Sequence, residues 1–169
     1  MKINNAININ SKSLKQFSTS NYLPKINFAK KQRTLAESIK FRGIGLHSGK
    51  KVEMVIRPAT SNTGIVFKVK KSPNSFVDIK ANYRNVTSTV LCTTISSQGY
   101  SVSTTEHIMS ALYGLNIDNV IIELTDSEVP VMDGSSEAFV NEIISAGFTD
   151  QKDFVKSIRV KKTVEVKDN

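Results

Sequence analysis

The run Thr104-Thr105-Glu106-His107 puts a carboxylate and an imidazole side by side where a helix is expected to begin. Those two groups suit hydrolysis. An imidazole can bind a zinc ion, which would acidify a bound water from about 15.7 toward about 7. A carboxylate on the same turn can take that water's proton. The sequence holds two histidines, His47 and His107, and none follows His107. A catalytic zinc usually takes three protein ligands, so these residues are expected to supply an incomplete metal site. A purely local reading stands beside the chemical one. Ser103-x-x-Glu106 has the spacing of a capping box, in which Glu106 only satisfies backbone N–H groups at the helix start. His107 would then be a hydrogen-bonded boundary residue.

The elements that must hold this pair read as strands followed by helices. Lys51–Arg57 alternates apolar and polar residues up to Pro58, as a half-buried strand does. Thr63-Gly64 opens Ile65–Val69, expected to be its hairpin partner. Phe76–Ile79 and Val90–Ile95 read as further strands, with Gln98-Gly99 a turn between short ones. Ser103–Tyr113 reads as a helix stopped by Gly114, with Ile108, Ala111, Leu112 and Leu115 at helical spacing. Asn119–Leu124 reads as a buried strand. Ser135–Ala146 reads as a second helix, with Phe139, Val140, Ile143 and Ile144 inward and Gly147 at its end. Val155–Val166 returns to strand alternation. This order predicts an α+β fold, one sheet with two helices packed on one face.

Two other segments have the composition of site loops. Gly43-Ile44-Gly45-Leu46-His47-Ser48-Gly49-Lys50 carries three glycines, which suggests a tight backbone path near a ligand or, equally, a glycine-rich turn. It lacks the GK[ST] ending of a phosphate-cradling loop. Met132-Asp133-Gly134-Ser135-Ser136 is a turn feeding a helix, where Asp133 or Ser135 could cap.

Composition bounds the rest. The chain has 169 residues, 39% hydrophobic and 22% charged, enough for one domain with a real core. No apolar run reaches about 18 residues, so no transmembrane helix is expected. The lone cysteine, Cys92, cannot form an intrachain disulfide. Of the 23 basic residues, seven lie within 1–33, where there is no acid, leaving 16 against 15 acidic residues in the remainder. The charge of +8 is therefore a tail, not a face, and nucleic-acid binding is not expected. That tail places Ile3, Ile7, Leu14 and Phe17 on one helical arc and Lys12 and Lys15 on the other side. Such a segment resembles a mitochondrial transit peptide, the alternative being a disordered tail on a cytoplasmic protein. The expected organisation is a basic leader over 1–32, an α+β domain over 33–154, and the start of a further element over 155–169.

The motifs also fall in the order of one family. Arg33-Thr34-Leu35, the 43–50 loop, Arg57-Pro58-Ala59, Asn62-Thr63-Gly64, Thr89–Thr93, Ser103–His107, Gly114–Asn119 and Pro130–Ser135 resemble the N-terminal half of UDP-3-O-acyl-N-acetylglucosamine deacetylase, a zinc amidase of lipid A biosynthesis. The resemblance implies a fold equivalent to the first of two similar α+β halves that face each other across zinc and substrate. It implies that His107 is a zinc ligand and Glu106 the general base. It also implies that Leu91, Cys92, His47 and Asp133 lie on the substrate side. The family's second half carries a His-Lys-x-x-Asp helix with two further zinc ligands, a separate histidine and much of the acyl-chain passage. No such residues follow Asp150 here. The expectation is thus a family member, with UDP-3-O-acyl-N-acetylglucosamine as substrate, that needs a complementary half or a homo-oligomer. The alternative is a non-catalytic half-domain that binds a sugar nucleotide or a full-length partner.

Overall fold

The computed structural model of the protein describes residues 30–73, 75–156 and 161–166. The expected leader falls almost wholly outside them. Ten strands and two α-helices follow in the order β1 (Lys31–Leu35), β2 (Ile39–Ile44), β3 (Lys51–Pro58), β4 (Ile65–Ser72), β5 (Ser75–Lys80), β6 (Val86–Ser88), β7 (Thr94–Ser97), β8 (Tyr100–Val102), α1 (Glu106–Gly114), β9 (Val120–Leu124), α2 (Glu137–Ala146) and β10 (Phe148–Phe154). A short 3₁₀ turn, Tyr83–Asn85, precedes β6.

The main sheet has the order β2-β3-β9-β4-β5, antiparallel except for the parallel β9–β4 pair. Side chains opposite one another in neighbouring strands share a face. Ile39, Ile56, Ile122, Phe67 and Ile79 therefore form one row, and Phe41, Met54, Leu124, Val69 and Val77 the next. None of these ten is more than 6% exposed, so this face is the core. The opposite face carries Lys40, Val55, Glu123, Lys68 and Asp78 in register. It is braced by the ion pairs Lys40–Glu53, Arg57–Glu123 and Lys68–Asp78 and is solvated. Ile108, Ala111 and Leu112 of α1 and Phe139 and Ile143 of α2 close the core. Phe139 meets Phe41 edge to face at 5.1 Å between ring centres. The fold is α+β, with both helices contributing to the core of the principal sheet.

Two smaller sheets accompany it. The ribbon β1–β10 is tied on by Asn119, which accepts from the Gly64 N–H (2.8 Å) and donates to Gln32 (2.9 Å) and Gln151 (2.7 Å). The sheet β6-β7-β8 lies against β4 and β5, and its β7–β8 turn has Gln98 and Gly99 both at positive φ, as a two-residue hairpin of this twist requires.

The structure differs from several expectations. β4 is not the hairpin partner of β3, because β9 lies between them. The Ala59–Gly64 link is too long for a tight hairpin, and the VIIEL run of β9 is apolar enough to occupy the sheet centre. Of the expected Val90–Ile95 strand only Thr94 and Ile95 are extended in a ladder, as part of β7; Leu91 turns to φ 62° instead. Helix α1 runs through Gly114, and its left-handed residue is Asn116. Ile144 of α2 faces outward, 55% exposed. Residues 155–156 and 161–166 form no strand, and 157–160 lie outside the described residues. β1 starts at Lys31, inside the span assigned to the leader.

Replacing Phe139 by Ala removes an aromatic ring from a fully buried site. The expected cost is about 3–5 kcal/mol of unfolding free energy. Val164→Ala, at a 76% exposed position, should stay within about 0.5 kcal/mol. Urea titration followed by circular dichroism measures both.

Candidate active site

Helix α1 starts with the acid–imidazole pair because the chain reverses just before it. Ser103 is still extended and bridges Glu128, with its N–H donating to the Ser127 carbonyl (3.0 Å) and its carbonyl accepting from the Val129 N–H (3.1 Å). Thr104 then takes φ 57°, a backbone state that a β-branched residue rarely adopts. Thr105 is the N-cap and Glu106 the first helical residue. The capping box expected from Ser103 does not form, since the reversal points the Glu106 carboxylate elsewhere.

That carboxylate accepts the Thr93 backbone N–H at 2.9 Å. Thr105 closes the same clasp from the helix side: its N–H (3.3 Å) and hydroxyl (3.1 Å) both donate to the Thr93 carbonyl. The Leu91–Cys92 segment is thereby held beside the Glu106 carboxylate. Leu91 is 86% exposed and left-handed, and Cys92 is half-buried with its Sγ 3.8 Å from the Thr94 hydroxyl. Among the described residues no donor is bonded to the other Glu106 oxygen, which leaves it available to a proton donor. A carboxylate at this position is also favoured by the helix dipole. An apolar cleft of about 160 Å³ opens next to the clasp, lined in part by Tyr83, Val86, Thr93, Thr105 and Met109.

His107 is half-buried in the first turn of α1. Asp133 lies close enough for the histidine's charge to act on it. The Asp133 carboxyl is held below its usual range by the Ser135 N–H first, then by the Ser135 hydroxyl, with His107 contributing. Asp133 accepts both Ser135 donors, at 2.9 and 3.0 Å, in the turn before α2. The His47 imidazole is exposed and makes no hydrogen bond among the described residues, whereas its backbone N–H is engaged. The position matters here through its main chain.

Sequence reasoning missed the residue at the centre of this arrangement, Glu128. It is 2% exposed. Its carboxylate accepts from the N–H groups of His47 and Ser48, each at 2.9 Å, and from the Thr104 hydroxyl at 3.1 Å. Burial pushes its pKa up, but these bonds and the Ser48 hydroxyl outweigh burial and hold it below the ordinary 4.5. The glycine-rich loop is shaped around the same segment. A Cβ on Gly45 would sit 2.4 Å from the Glu128 carboxylate and 2.3 Å from the Ser48 hydroxyl, and one on Gly43 would sit 2.9 Å from Pro130. Beside these two glycines lie Glu128, Ser48 and Pro130. The available signal was an acidic residue between β9 and the Pro130–Ser135 motif, with no polar periodicity to place it.

Comparison with known proteins fits this geometry. The sequence profile of the family described as LpxC, UDP-3-O-acyl N-acetylglycosamine deacetylase, matches residues 32–169. The chain belongs to that family. The UDP-3-O-acyl-N-acetylglucosamine deacetylase of Chromohalobacter salexigens is 50% identical over 139 residues, covering 82% of this chain and 46% of its own length. That of Xanthomonas oryzae is 48% identical over 137 residues (81% and 45%), and that of Haemophilus influenzae 47% over 139 (82% and 45%). The chain spans about half the length of the curated relatives it matches.

The zinc implied by the family can be tested against these residues. Among the described residues no three His, Cys, Asp or Glu side chains converge as a metal site would require. The His107 imidazole, with Glu106 beside it, has the chemistry of one ligand and one base. The described donor set does not fit a complete zinc centre.

Because the folded state depresses the Glu128 pKa, the unfolded chain takes up this proton more readily. The associated stability is present above the unfolded value and is lost as the pH falls through the folded one. The difference in unfolding free energy between wild type and Glu128→Gln should therefore hold above pH 4.5 and shrink below it. Chemical denaturation at a series of pH values reads it directly.

Proposed function

We propose that this chain provides the acid–base half of a deacetylase that removes the N-acetyl group from UDP-3-O-acyl-N-acetylglucosamine in lipid A biosynthesis. The observation that carries the reading is the Glu106 carboxylate, anchored through one oxygen by the Thr93 N–H and left open at the other. In that reading Glu106 accepts a proton from the water attacking the acetamide carbonyl. A tetrahedral oxyanion forms, the C–N bond breaks, and acetate leaves as the freed amine takes up the proton. Zinc, when bound, would supply Lewis acidity to that water, with His107 as the ligand from this chain and the others from outside the described residues. Leu91 supports a substrate-side role, since a left-handed leucine carries strain of about 1–3 kcal/mol that active-site loops retain for position. Val90 and Leu91, 77% and 86% exposed beside the base, suit an apolar partner surface: a complementary half, or a second copy of this chain.

The absence, among the described residues, of three converging metal donors favours one other reading, a half-domain that binds a sugar nucleotide or a full-length partner without catalysis. Acetate release separates the two. The 169-residue chain with zinc should release none from UDP-3-O-acyl-N-acetylglucosamine. Adding the C-terminal half of a relative should restore release, and Glu106→Gln in that mixture should lower the rate by about 10²–10⁴-fold. Binding without turnover in the complemented wild type would establish the non-catalytic reading.

We also propose that residues 1–32 direct the protein to mitochondria, on the strength of seven basic side chains and no acid within 1–33. A fluorescent protein fused behind residues 1–32 should enter mitochondria. Diffuse cytoplasmic signal would return the segment to a plain tail.

A further inference from the structure

We propose that Glu128 is a positioning residue for Glu106 and His107, the clamp that keeps Thr104 in its left-handed conformation and thereby fixes where α1 begins. The inference rests on the deacetylase reading for its functional meaning, though not for its geometry.

The segment 127–131 runs as a strap between two parts of the site. On one side its backbone pairs with Ser103 through both the Ser127 carbonyl and the Val129 N–H. On the other, Val131 donates to the Ile44 carbonyl (3.0 Å) and Pro130 bridges Gly45. Those contacts place the strap but do not dictate the conformation of residue 104. The Glu128 side chain does. It reaches the Thr104 hydroxyl at 3.1 Å in a spot where Thr104 itself is 1% exposed. Its remaining lone pairs are taken by the 47–48 amides. A buried carboxylate with a lost donor is costly, so the 45–48 loop and Thr104 are coupled through it. A relaxed Thr104 would redirect the chain two residues before Glu106. Displacing a base by about 1 Å can cost about 10²-fold in rate.

The test uses the isotopically labelled full chain and its backbone amide spectrum. Glu128→Gln keeps the shape but removes the charge. The amides of His47, Ser48, Glu106 and His107 should all move, with far-UV circular dichroism unchanged. In the double variant Glu128→Gln/Thr104→Gly, a glycine adopts positive φ without a clamp. The Glu106 and His107 amides should then return toward wild-type positions, while those of His47 and Ser48 stay displaced. A residue that merely supports stability would show no such selective rescue. Should Glu128→Gln fail to fold, Thr104→Val puts a methyl in place of the hydroxyl and should move Glu106 and His107, with smaller shifts at His47 and Ser48, which keep their bonds to the carboxylate. In the complemented enzyme, Glu128→Gln should lower kcat about 10²-fold with KM within about twofold. Unmoved Glu106 and His107 amides in Glu128→Gln, or in Thr104→Val where that is the variant that folds, would overturn the clamp. So would a double variant without rescue. Absent turnover in complemented wild type overturns the deacetylase reading instead and leaves the amide result standing.

Discussion

A carboxylate with almost no exposure is tolerable only if the protein supplies the donors that water would have supplied. Glu128 meets that condition with two backbone amides from the glycine-rich loop and a hydroxyl from Thr104. The constraint works in both directions. The loop can approach only because position 45 has no side chain, and Thr104 holds a disfavoured backbone state because its hydroxyl has a partner that a relaxed conformation would forfeit. Three segments far apart in sequence are thus fixed by one group, and the segment they fix is the start of α1.

The sheet provides the rigid reference for this arrangement. β9 sits at its centre with buried residues paired to β3 on one side and β4 on the other. The strap follows β9 directly, so its position is set by the best-packed strand in the fold. Helix α1 packs Ile108, Ala111 and Leu112 into the same core. Glu106 and His107 therefore sit at the junction of two elements that are both well buried, which is where geometry is held most tightly. Leu91 and Cys92 belong to a different regime. They occupy a bend tied to α1 through Thr93, with an exposed side chain at its tip.

What the sequence disclosed follows from where apolar residues carry the signal. β3, β9 and both helices bury side chains at period 2 or 3.6, and these elements could be read from their spacing. β1 buries Gln32 and Thr34, and β10 buries almost nothing, so neither shows an apolar period and both were invisible. The candidate site was legible in part for the same kind of reason. Glu106 and His107 stand out as residue types, and the ordered motifs connect them to a family. Glu128 does not stand out, because its importance lies in backbone amides at positions 47 and 48 that any residue type except proline could provide. His47 stands out by its imidazole, whereas the contact the structure shows there is its backbone N–H on Glu128. Of the loop's three glycines, Gly45 and Gly43 make room for Glu128 and Pro130, and Gly49 takes a left-handed backbone.

The division of labour in the site also follows from these contacts. A proton acceptor needs one well-placed oxygen, and a single helix start with one clasp can provide it. A metal centre needs several donors converging on a point, and converging donors must come from elements that face one another. The described helices share one core on one side of the sheet, and α1 presents the acid–imidazole pair at its end. Asp133 lies near His107, yet among the described residues no three His, Cys, Asp or Glu side chains converge. On the proposed reading, in which Glu106 is the base and His107 one ligand, further donors would come from outside the described residues, and Val90 and Leu91 lie exposed beside Glu106. On that reading the exposed apolar tip and the donor set have one origin: a helix start at the edge of the core, where Glu106 and His107 are held from one side.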